Sequence, residues 1–119
     1  MLKGGMNELR LVFVTFPSMD SARQIGTVLV EKQLAACVNF IPGVESVYRW
    51  QGNVESAAEV LAIFKTAEAV FSELEQAIKQ LHPYEVPEIV AVSPTAVSMD
   101  YLAWVLGSVS RRAVSQLTQ

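Results

Sequence analysis

One stretch of this chain constrains its fold more than any other. Residues 35–66 read as two long strands folded back on each other: AACVNFI (35–41), then Pro42-Gly43, then VESVYRW (44–50), a Gln51-Gly52-Asn53 turn, and VESAAEVLAIFKT (54–66). Pro42 and Gly43 sit badly in a regular ladder, yet strand-forming residues resume at once, so the pair is expected to mark a bend or bulge within one strand. The two strands together take about 30 residues, against the usual five or six each. In a chain of 119 residues such a hairpin must overhang the rest of the domain. An overhang left alone is an exposed edge, so its backbone groups are expected to meet those of other copies of the chain.

The remaining elements fall around this hairpin. LRLVFVTF (9–16), closed by Pro17, reads as a buried strand. Ser18 or Asp20 caps a helix ending near Lys32, with Ala22, Ile25, Val28 and Leu29 on one stripe. Thr66 is expected to cap a second helix, whose stripe is Val70, Phe71, Leu74, Ala77, Ile78 and Leu81 and which His82-Pro83 stops. EIVAV (88–92) reads as a last strand, and Ser98 caps a short helix bearing Tyr101, Leu102, Val105 and Leu106. The order β-α-β-β-α-β with a terminal helix is that of an α+β, ferredoxin-like sandwich, in which both helices cover one face of an antiparallel sheet. One domain is expected over 9–107, with a flexible extension over 1–8 and a tail over 108–119. Apolar residues make up 51% of the chain and charged residues only 18%. A small domain cannot hide that much apolar surface by itself, so the open sheet face is expected to be buried among three subunits.

Composition also excludes. The net charge is −3 and the basic residues are scattered, Arg111-Arg112 being the one adjacent pair, so no basic face exists for nucleic acid. No apolar run approaches the roughly 18–20 residues that cross a bilayer, and the start of the chain has no apolar signal core. With one cysteine there is no intrachain disulfide, and a cytoplasmic location is the simplest expectation. No Ser-His-Asp order, paired acid-base carboxylates or nucleophile elbow marks an enzyme.

Few residues carry chemistry. Cys37 and His82, each the single residue of its type, are the soft and borderline donors that suit copper, and a carboxylate can complete such a shell. No local spacing supports them, and packing for Cys37 with a helix-terminal role for His82 is the other open reading. Glu59 and Lys65 share a parity with Leu61 and Ile63, so an interface ion pair, a ligand contact or a solvated strand end all remain open. Tyr48 and Trp50 share a parity on the hairpin, while Tyr101 and Trp104 sit on the last helix. These aromatics, with His82 and Tyr84, could line a cleft between subunits or simply pack there.

Five segments in register give the chain a family resemblance. KQLAACVNFIPG (32–43), VYRWQG (47–52), EVLAIFKT (59–66), HPYEVPE (82–88) and YLAW (101–104) resemble, in order, the motifs of the CutA divalent-cation tolerance family. The resemblance covers about Leu9 to Gly107. It implies a homotrimer of ferredoxin-like subunits, similar in architecture to the PII signalling proteins. It also implies a role in the response to metal ions and binding of copper or another divalent cation, with no organic cofactor. Carried over residue by residue, it sets Glu59 beside Cys37 and His82 as metal ligands. The residues themselves make Tyr48, Trp50, Lys65, Tyr84, Glu88 and Trp104 the candidates for an inter-subunit cleft. A PII-like signalling trimer or partner-binding scaffold with incidental metal affinity is the alternative. Against nucleotide binding stand the six glycines and the tight turn at residues 51–53, which leave no phosphate cradle.

Overall fold

The computed structural model describes residues 8–109. In chain order these form β1 (Leu9–Phe16), α1 (Met19–Glu31), β2 (Cys37–Trp50), β3 (Asn53–Ala67), α2 (Glu68–Leu81), β4 (Val90–Val92) and α3 (Met99–Ser108). The strands make one sheet in the order β2-β3-β1-β4, with every pairing antiparallel. That is the ferredoxin-like arrangement. Of the expected extension over 1–8, residues 1–7 lie outside the described residues, while the Glu8 carbonyl accepts the Glu68 N–H at 2.7 Å. Of the expected tail over 108–119, Ser108 closes α3 and Val109 is buried; residues 110–119 lie outside the described residues.

The alternation of β1 and β3 decides where the core lies. Val12, Val14 and Phe16 on β1 and Val60, Ala62 and Phe64 on β3 point to one face and are buried there. They pack with Ala22, Ile25 and Leu29 of α1 and Val70, Leu74 and Ile78 of α2. At Gly26 a Cβ would lie 2.7 Å from Phe40 Cζ, so glycine lets α1 sit close on β2. The opposite face carries Leu11, Phe13, Leu61 and Ile63, none fully buried, beside exposed Ile41, Val90 and Val92.

The hairpin has the shape its sequence implies, with a Gln51-Gly52 tip whose φ values are +52° and +84°. Two successive positive φ values suit a two-residue hairpin turn and match the twist of the strands. Between Ile41 and Val44 the register slips by one residue, which makes Pro42-Gly43 a bulge. β1 pairs with β3 only from residue 60 onward, so residues 53–59 pair with β2 alone. Those seven residues project by about 20 Å at the usual strand rise. The radius of gyration is 15.4 Å, above the roughly 13 Å of a round domain of this size.

Three local expectations are corrected. Thr66 does not cap α2: it lies on β3, fully buried, and its hydroxyl donates to the Leu34 carbonyl at 2.8 Å. The N-cap is Ala67, without a side-chain bond. Leu81 ends the α2 stripe 43% exposed, because the chain leaves the helix there. The last strand covers Val90–Val92 rather than 88–92. Its register, carried two residues further, would set Glu88 opposite Thr15, and there the Thr15 carbonyl is already bonded to His82.

Candidate functional site

The bulge determines which side chains meet. In a regular strand Cys37, Asn39 and Ile41 would share a face with Val47 and Arg49. The extra residue at Pro42-Gly43 reverses the parity, so Ser46, Tyr48 and Trp50 pair with Ala57, Glu55 and Asn53, on the face that carries Glu59. Tyr48 and Trp50 therefore overlook the face that helices α1 and α2 leave open.

His82 anchors the far wall. Its ring lies 4.7 Å from that of Phe16, stacked at 21°, and is 7% exposed. The Tyr84 N–H donates to Nδ1 at 3.0 Å, which leaves Nε2 to carry the proton and donate to the Thr15 carbonyl at 2.7 Å. Both nitrogens are thus engaged, and burial pushes the ring's pKa below its usual value. The turn so held, 82–84, aims the Tyr84 hydroxyl at Glu59 Oε2, 2.6 Å away. Burial and this bond to a carboxylate both raise the Tyr84 pKa above the ordinary phenol value. Glu59 itself is only 9% exposed. Tyr84 anchors it where an unpartnered buried carboxylate would be costly.

The result is a cleft of about 790 Å³ lined by Thr15, Ser46, Tyr48, Trp50, Glu55, Glu59, Tyr84, Glu85 and Glu88, among others. It thereby gathers Tyr48, Trp50, Tyr84 and Glu88 from the residues expected at a cleft. Glu55 was absent from that expectation, although a two-residue turn at Gln51-Gly52 sets it directly across from Tyr48. Glu85, inside the 82–88 motif, joins through the turn that His82 holds.

Within one copy Lys65 and Trp104 do not line this cleft. Lys65 pairs across from Cys37, six residues along β3 from Glu59, or about 20 Å. Its ammonium donates to Asn39 Oδ1. Cys37 Sγ lies 3.5 Å from the Tyr101 hydroxyl of α3, and Tyr101 is 5.6 Å from Trp104, ring to ring. The bond to Cys37, with some burial, lifts the Tyr101 pKa to about 12. Of the three expected metal ligands, then, one copy brings Glu59 to the cleft, buries His82 behind it against Phe16 and the Thr15 carbonyl, and leaves Cys37 at the other end of the sheet. Among the described residues no three His, Cys, Asp or Glu side chains are grouped to hold a metal ion.

Residues 10–108 match the family model described as CutA1 divalent ion tolerance protein. The chain is 48% identical over 94 residues to the divalent-cation tolerance protein CutA of Thermus thermophilus, covering 79% of this chain and 91% of the relative. It is 42% identical over 93 residues to human protein CutA, covering 78% of this chain but only 52% of that protein. The chloroplastic CutA of Arabidopsis thaliana is 40% identical over 82% of this chain, and 54% of its own length is covered. Among solved structures, the divalent cation tolerance protein of Thermus thermophilus superposes with a TM-score of 0.83 at 44% identity, over 86% of this chain and 99% of the other. CutA1 from Pyrococcus horikoshii gives 0.82 at 36%, again over 86% and 99%. A structure described as the periplasmic CutA of Archaeoglobus fulgidus gives 0.81 at 34%, over 84% and 97%.

Proposed function

Because the chain belongs to the CutA1 divalent ion tolerance protein family, we propose that it works as a homotrimer in the cellular response to divalent cations, copper among them, and catalyses no reaction. One observation supports the assembly above the rest: residues 53–59 of β3 pair with β2 alone and stand clear of β1. Neighbouring copies would supply the missing ladder partners and cover Ile41, Val90 and Val92 on the open sheet face. The PII-like or scaffold alternative is not favoured by the family match.

Metal binding, on this proposal, is weak and shared between copies. Cys37 and Glu59 stand about 20 Å apart along the sheet, so a single ion can meet both only if they come from different subunits. For His82 to join, it must release either Thr15 or Tyr84. Titration calorimetry of copper into the parent, Cys37→Ser and His82→Ala tests this: weaker binding in both variants supports the shared site, and parental affinity in both removes it. The proposed location is the cytoplasm. The described residues contain no helix long and apolar enough to cross a membrane, and cell fractionation is the direct test. Growth of a copper-sensitive strain lacking its own homologue, with and without this chain, tests the tolerance role. Equal sensitivity in the two cultures would count against it.

A further inference from the structure

We propose that Tyr84 gates cation binding: its backbone N–H and its hydroxyl occupy the two donor atoms, His82 Nδ1 and Glu59 Oε2, that a divalent ion would take, so an ion bridges them only when the 82–88 turn swings aside. The gate rests on the metal reading proposed above and names its regulation. His82 already has the tautomer of a ligand. Its Nε2 carries the proton and donates to the Thr15 carbonyl, the backing that ligating histidines have, and the one lone pair of the neutral ring lies at Nδ1. That lone pair accepts the Tyr84 N–H at 3.0 Å. Glu59 is held by the same residue, because Oε2 accepts from the Tyr84 hydroxyl at 2.6 Å. His82 and Glu59 are 7% and 9% exposed in a single chain, and assembly can only lower both values. An ion therefore gains the pair only after a local opening.

One movement frees both donors. The Tyr84 ring lies 4.8 Å from the imidazole and its hydroxyl ends on the carboxylate, so a single side chain spans the gap between them. Pro83 and Pro87 have no N–H, and among the described residues the two Tyr84 bonds are the hydrogen bonds that hold residues 83–87 to the rest of the chain. No helix or strand includes those five residues, and Glu85 and Val86 are exposed. The ion has to outcompete both bonds, and its apparent affinity is the intrinsic one reduced to the fraction of chains with the turn open. Such coupling is reciprocal: a bound ion favours the open turn by the same factor by which the open turn favours the ion.

Calorimetric titration of Cu(II) into the purified parent and Tyr84→Phe, both checked for folding by circular dichroism, tests the gate. Removing the phenol oxygen deletes one of the two bonds and should tighten copper binding about tenfold, the factor that one hydrogen bond to a charged group supplies. The gain should vanish when Tyr84→Phe is combined with His82→Gln, because the ion then has no imidazole to claim. Hydrogen–deuterium exchange of the peptide carrying residues 82–88 gives a second reading. Copper should speed exchange at the Tyr84 amide of the parent, where an ion entering a standing site would slow it. Weaker binding in Tyr84→Phe would make the phenol a ligand and overturn the gate. Parental affinity in that variant, a gain that survives His82→Gln, or exchange that copper slows or leaves unchanged would each overturn it too. Should Tyr84→Phe fail to fold, exchange in the parent decides alone. Copper bound by neither protein removes the metal reading and the gate together. Copper that binds both equally, yet more weakly in Cys37→Ser and His82→Ala, removes the gate and leaves that reading standing.

Discussion

Replacing Tyr84 with phenylalanine deletes one oxygen and keeps the ring that lies 4.8 Å from His82. The deleted hydroxyl donates to Glu59 Oε2 at 2.6 Å, and among the described residues it is the one hydrogen-bond partner of a carboxylate that is 9% exposed. A hydrogen bond to a charged group contributes about 1.5–3 kcal/mol when its loss leaves the charge unsatisfied. Tyr84 is itself partly open to the cleft, which lets water replace some of what is lost, so the lower part of the range applies, about 1.5–2 kcal/mol. With a urea dependence of about 1.5 kcal/mol per molar, the unfolding midpoint should fall by about 1 M. Parent and variant must be compared at equal protein concentration, because association shifts apparent stability. Glu59→Gln and the double variant complete a cycle, and the pair should couple by about 1 kcal/mol because Tyr84→Phe removes the donor and Glu59→Gln the charge of the same hydrogen bond. A midpoint unchanged in Tyr84→Phe, or two effects that simply add, would refute the claim that Tyr84 holds the Glu59 charge in place.

Other outcomes rest on the same structure. Burial lowers the pKa of His82 from the 6.5 it has when unfolded, so the unfolded chain takes up this proton first as pH falls. Stability from the neutral ring is therefore complete above about pH 6.5 and is lost as pH drops through that value toward the lower folded pKa; urea midpoints should show this in the parent and less in His82→Gln. Thr66→Val leaves the Leu34 carbonyl without its hydroxyl donor in a fully buried setting and should cost about 1–2 kcal/mol in the same assay. A variant as stable as the parent would show that water or a backbone shift replaces that bond. Trp50→Asp at the hairpin should give monomer or aggregate in size-exclusion chromatography, and an unaltered assembly would remove the tip from the interface.

Much of the fold could be read from the chain because its signals are local. The Pro42-Gly43 bulge, the Gln51-Gly52-Asn53 turn, the Ser18 and Ser98 caps and the apolar helical stripes each follow from short-range steric and hydrogen-bonding rules. Thr66 shows where such rules stop: a cap residue in the right place was claimed by the Leu34 carbonyl, 32 positions away. β4 shows the same limit: it starts at Val90 instead of residue 88, and the Thr15 carbonyl that Glu88 would face is bonded to His82, 67 positions away. At the site, Tyr48, Trp50, Tyr84 and Glu88 were within reach of sequence reasoning because they lie in compact motifs flanking the hairpin and the helix stop. Within one copy Lys65 and Trp104 do not join them, for β3 carries Lys65 about 20 Å from Glu59 despite their shared face. A common parity fixes a side, and only the register fixes the distance.

The central claim is that seven residues of β3 lacking a second ladder partner are completed by neighbouring copies. Sedimentation equilibrium of the purified protein at micromolar concentration tests it most directly. The account predicts a single species of three times the 13.1 kDa chain mass; a stable, well-folded species at 13.1 kDa would contradict it.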